Sequence, residues 1–244
     1  MKRNLNILIP MSGAGSRFMS QSYLLPKPLI DVNGKTMIST VLANLNTNAN
    51  YIFIVNKEHE KYGVTKHLKE LVNDCRIVYT EGLTEGAACS ALLAKDIINN
   101  SIPLFIINSD QYININFNTF FTTMENSEID GSLITCTIEN DKRWSYVKVN
   151  ENGNKKGLIA AVAEKQPISD IATTGCYYFK HGKYFVQAAE EMIKDDNKRV
   201  GGEFYIAPVF NELLNKVIIP YHINTYDFNS LGTPELLQEY VLKK

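Results

Sequence analysis

The chain has one tryptophan, four histidines and four cysteines, and none stands at a spacing that metal, redox or nucleophilic chemistry requires. Cys75, Cys89, Cys136 and Cys176 are far apart and form no Cys-x-x-Cys pair, which excludes a zinc or thiol–disulfide motif and leaves reduced structural thiols. His59, His67, His181 and His222 lack metal-ligand spacing, and no serine–histidine or cysteine–histidine arrangement is visible. Charge of one sign is also missing. The 25 basic and 26 acidic residues leave a net charge of -1, which argues against nucleic acid or an anionic membrane as partner. No apolar run reaches transmembrane length. The basic start Met1-Lys2-Arg3 leads into a short apolar run that ends at Pro10, so a strand is expected there and a cytoplasmic location follows. No internal repeat, low-complexity tract or linker interrupts the sequence.

What remains is a pattern. Apolar runs at Leu5 to Pro10, Tyr51 to Val55, Arg76 to Tyr79 and Pro103 to Ile107 alternate with helical segments at Thr36 to Leu45, Glu58 to Val72 and Glu85 to Ile98. This predicts an α/β fold with a Rossmann-like, mostly parallel central sheet and helices on both faces. The second half changes character. Strands are expected at Gly131 to Glu139, Tyr146 to Val149, Gly157 to Ala163 and Thr174 to Phe179, with a hairpin turn at Asn150 to Gly153. Helices are expected at about Gly182 to Ile193, Glu203 to Leu214 and Pro234 to Leu242. At 244 residues the chain fits a single domain, with residues 1–130 as a nucleotide-binding part and 131–244 as a mixed-sheet, acceptor-side extension.

The glycines and prolines that are present are concentrated where they carry information. After the first strand comes Met11-Ser12-Gly13-Ala14-Gly15-Ser16-Arg17. Glycines without Cβ atoms let backbone N–H groups approach a phosphate, Ser12 and Ser16 add short hydroxyls, and Arg17 adds a planar cation. The loop lacks the Gly-Lys-Ser/Thr ending of a P-loop and the third glycine of a dinucleotide fingerprint. Ten residues on, Lys27 stands between Pro26 and Pro28, which predicts a cation presented from a stiff extended segment. The plainer alternatives are a strand-to-helix turn with a surface arginine and a proline-rich connector with a solvated lysine.

Ligands of such sheets gather at the carboxyl ends of the strands, where Pro10 to Arg17, Thr80 to Gly86 and Asn108 to Gln111 all fall. Asp110, in Asn108-Ser109-Asp110-Gln111, is suited to a divalent cation on nucleotide phosphates, or else to anchoring a turn. Gly86, Ala87 and Ala88 leave room for a flat base whose edge Thr80, Glu81 and Thr84 could read, or else open a well-packed helix. Glu164 and Lys165 end an apolar strand and are either acceptor ligands or a surface ion pair. Glu203, after Gly201-Gly202, is either a second acceptor carboxylate or an acid in a helix's first turn. The segment Trp144-Ser145-Tyr146-Val147-Lys148 either walls a pocket or belongs to the core.

Gly13-Ala14-Gly15-Ser16-Arg17-Phe18, Pro26-Lys27-Pro28-Leu29, Ser109-Asp110, Glu164-Lys165, Gly175-Cys176-Tyr177 and Gly232-Thr233-Pro234, in this order, resemble the sugar-1-phosphate nucleotidylyltransferase family over nearly the whole chain. The resemblance implies a nucleotide-diphospho-sugar transferase-like fold and Mg²⁺-dependent transfer of NMP from an NTP to a phosphorylated small molecule, releasing pyrophosphate. It places Arg17 on the departing phosphates, Lys27 on the α-phosphate and Asp110 on the metal. Met11, Ser12, Gly13, Ala14, Gly15, Ser16, Thr80, Gly86, Ala87 and Ser109 would line the nucleotide. Tyr146, Glu164, Lys165, Gly175 and Glu203 would face the acceptor. One position departs from the family. Ser230 stands where sugar-specific members place a second metal-binding aspartate, so either Asp227 substitutes or the metal rests on Asp110, phosphates and water. Asn-Ser-Asp-Gln and Trp-Ser-Tyr-Val-Lys also look like a cytidylyltransferase branch of surface-polysaccharide (capsule) pathways, similar to CTP:phosphoglutamine cytidylyltransferase. That similarity favours CTP and leaves dTTP and UTP open. A nucleotide-sugar-dependent glycosyltransferase and a non-catalytic nucleotide-binding regulator are the competing readings, and assembly into a homo-oligomer stays open.

Overall fold

The apolar run after Leu5 becomes the central strand of the molecule. In the computed structural model, which describes residues 2–243, Asn6–Pro10 forms β1, with Ile7, Leu8 and Ile9 fully buried. Leu8 faces one core cluster while Ile7 and Ile9 face the other, as a strand covered by helices on both sides requires. Along the chain follow α1 (Ser16–Met19), the short β2 (Asp31–Val32) and β3 (Lys35–Thr36), α2 (Met37–Leu45), β4 (Asn50–Asn56), α3 (Val64–Leu71) and β5 (Cys75–Thr80). Then come α4 (Ala87–Leu92), α5 (Lys95–Ile98), β6 (Leu104–Ile107), β7 (Gln111–Ile113), α6 (Phe117–Glu125), β8 (Gly131–Thr137), β9 (Ser145–Val149) and β10 (Ile159–Glu164). The last elements are β11 (Ile171–Phe179), α7 (Gly182–Met192), β12 (Ile218–His222), β13 (Phe228–Ser230) and α8 (Pro234–Leu242).

Strands β6, β1, β4 and β5 are mutually parallel neighbours, with Leu8 in register with both Ile52 and Ile106. Strand β11 joins the halves: it runs antiparallel to β6 through Cys176 to Phe179, to β8 from Ile171 to Phe179, and to β9 at Ala172. Strand β10 pairs antiparallel with β9, and β12 pairs parallel with β8. The register of β11 on β8 shifts between Thr173 and Tyr177, around Gly175 at φ 81°. One sheet therefore combines a parallel half and a mixed half. Helices α4, α5 and α7 cover one face; α2, α3 and α6 cover the other. A smaller cluster under α8, including Phe18, Ile30, Leu231 and Leu237, ties the first loops to the C-terminal segment.

Four expected elements differ. Glu58 to Val72 is a 3-10 turn, Lys57–Tyr62, then α3, because Gly63 at φ 75° breaks the run. Glu85 to Ile98 divides into two short helices around Leu93 and Ala94. Residues 203–206 are non-helical, since Phe204 spends its backbone groups on Glu85 and Ala88, and the following Ala207–Leu213 is 3-10. Asn150 to Gly153 is no tight hairpin; the link between β9 and β10 closes where Gly157 N–H donates to Asn150 O at 2.8 Å. Helix α6 and strand β12 were not expected, although Phe117, Phe120, Phe121 and Met124 of α6 follow a helical period and Asn116 caps it. The cysteines are free thiols, Cys136 and Cys176 fully buried, and burial pushes the Cys136 thiol up to about 12. No helix among the described residues is long and apolar enough to cross a membrane.

Candidate active site

Two hollows meet over the carboxyl ends of the parallel strands. The first, about 520 Å³, is lined by Met11 to Ser16, Lys27, Gly86, Ala87, Ser109 and Asp110 among others. Gly15, at φ 65°, caps α1 and accepts the N–H groups of Phe18 and Met19. A Cβ on Gly13 would meet nothing within 4 Å, so the space beside it is open to a ligand. Ser12 is buried, and its hydroxyl is engaged: Ser12 Oγ lies 3.2 Å from Ser90 Oγ, which lies 2.5 Å from Thr84 Oγ1. This hydroxyl chain forms the floor of the hollow. Thr80 does not join it. It is buried at the end of β5 with its hydroxyl unpartnered, off the hollow, so the structure does not bring it to the expected base edge.

Lys27 opens a 3-10 turn, Lys27–Leu29, with Pro28 at its start; the extended presentation expected from the two prolines is confined to Pro26. Its stem packs beside Gly15, where a Cβ would lie 3.4 Å from Lys27 Cβ. Its ammonium donates to the Asp110 carboxylate in a close ion pair, with both side chains largely buried. The other Asp110 oxygen accepts Gln111 Nε2 at 3.1 Å. Gln111 Oε1 is left buried without a partner. Ser230 Oγ and Asp110 Oδ2 each lie 3.1 Å from the point that a Cβ on Gly232 would occupy, so Ser230 holds the place beside Asp110. Asp227 does not substitute for it: its carboxylate accepts Asn114 Nδ2 at 3.1 Å, and it lines neither hollow. Among the described residues no group of three or more histidine, cysteine or acidic side chains could hold a metal. One carboxylate with neighbouring neutral oxygens suits Mg²⁺, a hard cation that keeps waters and takes its remaining ligands from substrate phosphates.

The second hollow, about 270 Å³, shares Ala87, Asn108, Asp110 and Tyr205 with the first. It gathers Arg17, Glu164, Lys165 and Gly175 from the expected set. Arg17 is exposed and, among the described residues, forms no ion pair; it lines this second hollow and not the first. Glu164 accepts the Ser145 hydroxyl across the β9–β10 ladder, and burial, the largest effect on it, raises its pKa. The Ser145 bond and Lys165 oppose that rise, while Glu203 adds to it. Lys165, at φ 56°, donates to Tyr205 Oη and lies 4.5 Å from that ring's centroid. Tyr205 Oη in turn donates to Glu203 at 2.7 Å. Glu203 therefore sits in a turn after Gly201-Gly202, at the border of the first hollow, and not in a helix. Gly175 allows Asn108 to approach: a Cβ there would lie 2.5 Å from Asn108 Nδ2.

Tyr146 is not brought to the site. It is fully buried, and its hydroxyl holds the Asp141 backbone, accepting from the N–H and donating to the carbonyl at 2.9 Å each. Its neighbours line the hollow instead. Trp144 Nε1 donates to Asp141 at 3.0 Å, and Arg143 grips the same carboxylate at 2.6 Å, holding its pKa below the usual range. Asn108 and Gln111 lie in the rim loop expected to gather ligands, and Ser145 in the segment expected either to wall a pocket or to join the core; Arg143 and Tyr205 were not anticipated. Arg143 stands beside the singled-out Trp144, whereas nothing in the sequence marks Tyr205.

Two adjoining hollows at the carboxyl rim of the parallel strands, with basic residues and one carboxylate at their junction, define an α/β protein whose site suits an anionic ligand. The chain belongs to the nucleotidyl transferase family, whose sequence model matches residues 7–217. It is 23% identical over 234 residues to the bifunctional protein GlmU of Methanococcus aeolicus, covering 94% of this chain and 52% of that protein. It is 23% identical over 181 residues to the mannose-1-phosphate guanylyltransferase catalytic subunit beta of Dictyostelium discoideum, covering 72% and 49%. The chain thus spans about half the length of these curated relatives. A solved structure of a nucleoside-diphosphate-sugar pyrophosphorylase from Vibrio cholerae superimposes with a TM-score of 0.80 at 25% identity, covering 97% of this chain and 99% of that one.

Proposed function

We propose that this protein transfers a nucleoside monophosphate from an NTP to a phosphorylated small molecule and releases pyrophosphate. The observation that carries the reading is the junction of the two hollows, where Lys27 and Asp110 stand between the glycine loop and the Glu164–Lys165 wall. The first hollow takes the nucleotide, with its phosphates along Ser12 to Ser16 and beside the open face of Gly13. The second takes the acceptor, with Lys165 toward its phosphate and Glu164 toward a hydroxyl or amine.

An acceptor phosphate oxygen, already anionic, attacks the α-phosphorus. The new P–O bond forms as the bond to the β-phosphate oxygen breaks, and pyrophosphate leaves with that electron pair. No protein nucleophile or strong base is required. Lys27 turns from Asp110 to the α-phosphate as charge grows there, and Arg17, which lines the second hollow, would meet departing phosphate charge from the acceptor side of the junction. Asp110, with Gln111 Oε1 and Ser230 Oγ nearby, would hold Mg²⁺, which supplies charge neutralisation on the phosphates when bound.

Sugar 1-phosphates are the first acceptors to test, because mannose 1-phosphate and nucleoside-diphosphate-sugars appear in the names of similar proteins. Phosphoglutamine and phosphocholine follow, with CTP as the favoured donor and dTTP and UTP beside it. A cytoplasmic, surface-polysaccharide role belongs to the same reading. A pyrophosphate-release screen of CTP, dTTP, UTP, GTP and ATP against these acceptors tests it. Turnover with one pair is the expected result. NDP release from a nucleotide sugar would instead support a glycosyltransferase, and NTP binding without turnover a regulator.

A further inference from the structure

The chain turn at Gly201-Gly202 and the loop at Glu85 are bridged by one arginine outside both hollows. Val200 and Glu203 exchange backbone hydrogen bonds at 2.9 and 3.2 Å around Gly201 and Gly202, both at positive φ. From this turn the chain runs through Phe204 to Tyr205. Phe204 N–H donates to Glu85 O at 2.8 Å, and Phe204 O accepts Ala88 N–H at 3.0 Å. The approach is close enough that a Cβ on Gly86 would lie 2.4 Å from Phe204 O. Arg199 closes the arrangement. Its three guanidinium nitrogens have separate partners: the Glu85 carboxylate, Gly202 O at 3.2 Å and Asp196 at 2.8 Å, while the group sits 4.2 Å from the Phe204 ring centroid.

We propose that Arg199 is a positioning residue that makes the 200–205 strap and the Glu85–Ala87 loop a single unit, so that nucleotide in the first hollow orders the acceptor wall in the second. The strap carries Glu203 and Tyr205, and Tyr205 fixes Lys165. A base seated against Gly86 and Ala87 holds Phe204 through two backbone hydrogen bonds, and Phe204 holds Tyr205. A planar fork is needed for three partners in three directions; a lysine replaces one of them. The proposal rests on the assignment of the hollows to nucleotide and acceptor.

Hydrogen–deuterium exchange on the full chain tests it in two arms. Without ligand, Arg199→Ala raises exchange at residues 85–88 and 203–205 together by about tenfold or more, with α2 unaffected. Arg199→Lys and Glu85→Gln give intermediate values and guard against a variant that fails to fold. Unchanged exchange at 203–205 in Arg199→Ala overturns the clamp. In the second arm, α,β-methylene-CTP with Mg²⁺ protects 12–17, 86–88 and 203–205 in the natural protein, but only the first two segments in Arg199→Ala. Protection that stops at 86–88 in the natural protein, or reaches 203–205 in the variant, overturns the transmission. Absence of protection at 12–17 counts against the nucleotide assignment, and the first arm still decides the clamp.

Discussion

At the scale of single residues, the site is organised around charges that neutralise one another before any ligand arrives. Lys27 and Asp110 form a largely buried pair, so neither is a free charge in the empty protein. Replacing Lys27 by alanine removes the cation that faces the α-phosphate, and turnover should fall by about 10²–10³, the scale of an oxyanion-type contact. Pyrophosphate release at saturating substrates measures it; near-normal release sinks the role. The same variant leaves Asp110 without its partner, so bare Mn²⁺ followed by electron paramagnetic resonance should bind more tightly than to the natural protein. Glu164 behaves in the opposite sense. Burial raises its pKa in the folded chain, so folding favours the protonated form, and that contribution is lost as pH rises through the folded pKa. Glu164→Gln, neutral at every pH, should therefore raise the Tm at pH 8. The difference should shrink as pH falls through the folded-state pKa of Glu164. Melting curves from pH 4 to 8 check the sign, and a destabilised variant at pH 8 contradicts it.

At the scale of elements, the glycine positions separate folding from binding. Gly86 has φ 122° and Phe204 O where a Cβ would go. Gly86→Ala should cost about 1–3 kcal/mol and lower Tm accordingly. Gly13→Ala adds a methyl into open space and should leave stability within about 0.5 kcal/mol while raising KM for the NTP. Thermal melts and NTP titrations on both variants distinguish the two roles. The first half of the fold was legible because β1, β4 and β6 are apolar runs bounded by turn residues, a signal local to each strand. The acceptor wall was less legible because it depends on register and on irregular backbone. Side chains on a strand alternate faces, so the step from Ser145 to Tyr146 crosses from the hollow to the core. Choosing Tyr146 placed the right strand with the wrong parity. Tyr205 was missed for a different reason: the expected helix at Glu203 is displaced by backbone bonds to Glu85 and Ala88, distant in sequence. Ser230 lies beside Asp110 at Gly232, and only the structure shows that Asp227 is turned to Asn114.

At the scale of the whole molecule, the site lies on the seam between a parallel and a mixed half that share β11. The glycine loop and Asp110 hang from β1 and β6; Glu164 and Lys165 come from β10 and its end; Ser230 comes from β13, paired with β7. A ligand spanning the seam binds the folded chain and not the unfolded one, so it stabilises by mass action. At about 100 times Kd this is about 2.7 kcal/mol, or on the order of 5–10 °C in Tm for a chain of this size. The metal should act only together with the nucleotide. Asp110 is occupied by Lys27, and among the described residues no group of three or more histidine, cysteine or acidic side chains could hold a metal. Mg²⁺ alone should therefore move Tm by less than about 1 °C, because without a strong site it has little preference for the folded state. NTP with chelator should give an intermediate shift, since Lys27 can still leave Asp110 for a phosphate. Mg²⁺ and NTP together should give the full shift, with Asp110 and phosphate oxygens sharing the cation. The order of the three melts carries the argument. If bare Mg²⁺ stabilises as much as Mg²⁺ with NTP, the chain holds a metal seat of its own and the Lys27–Asp110 pair does not close it.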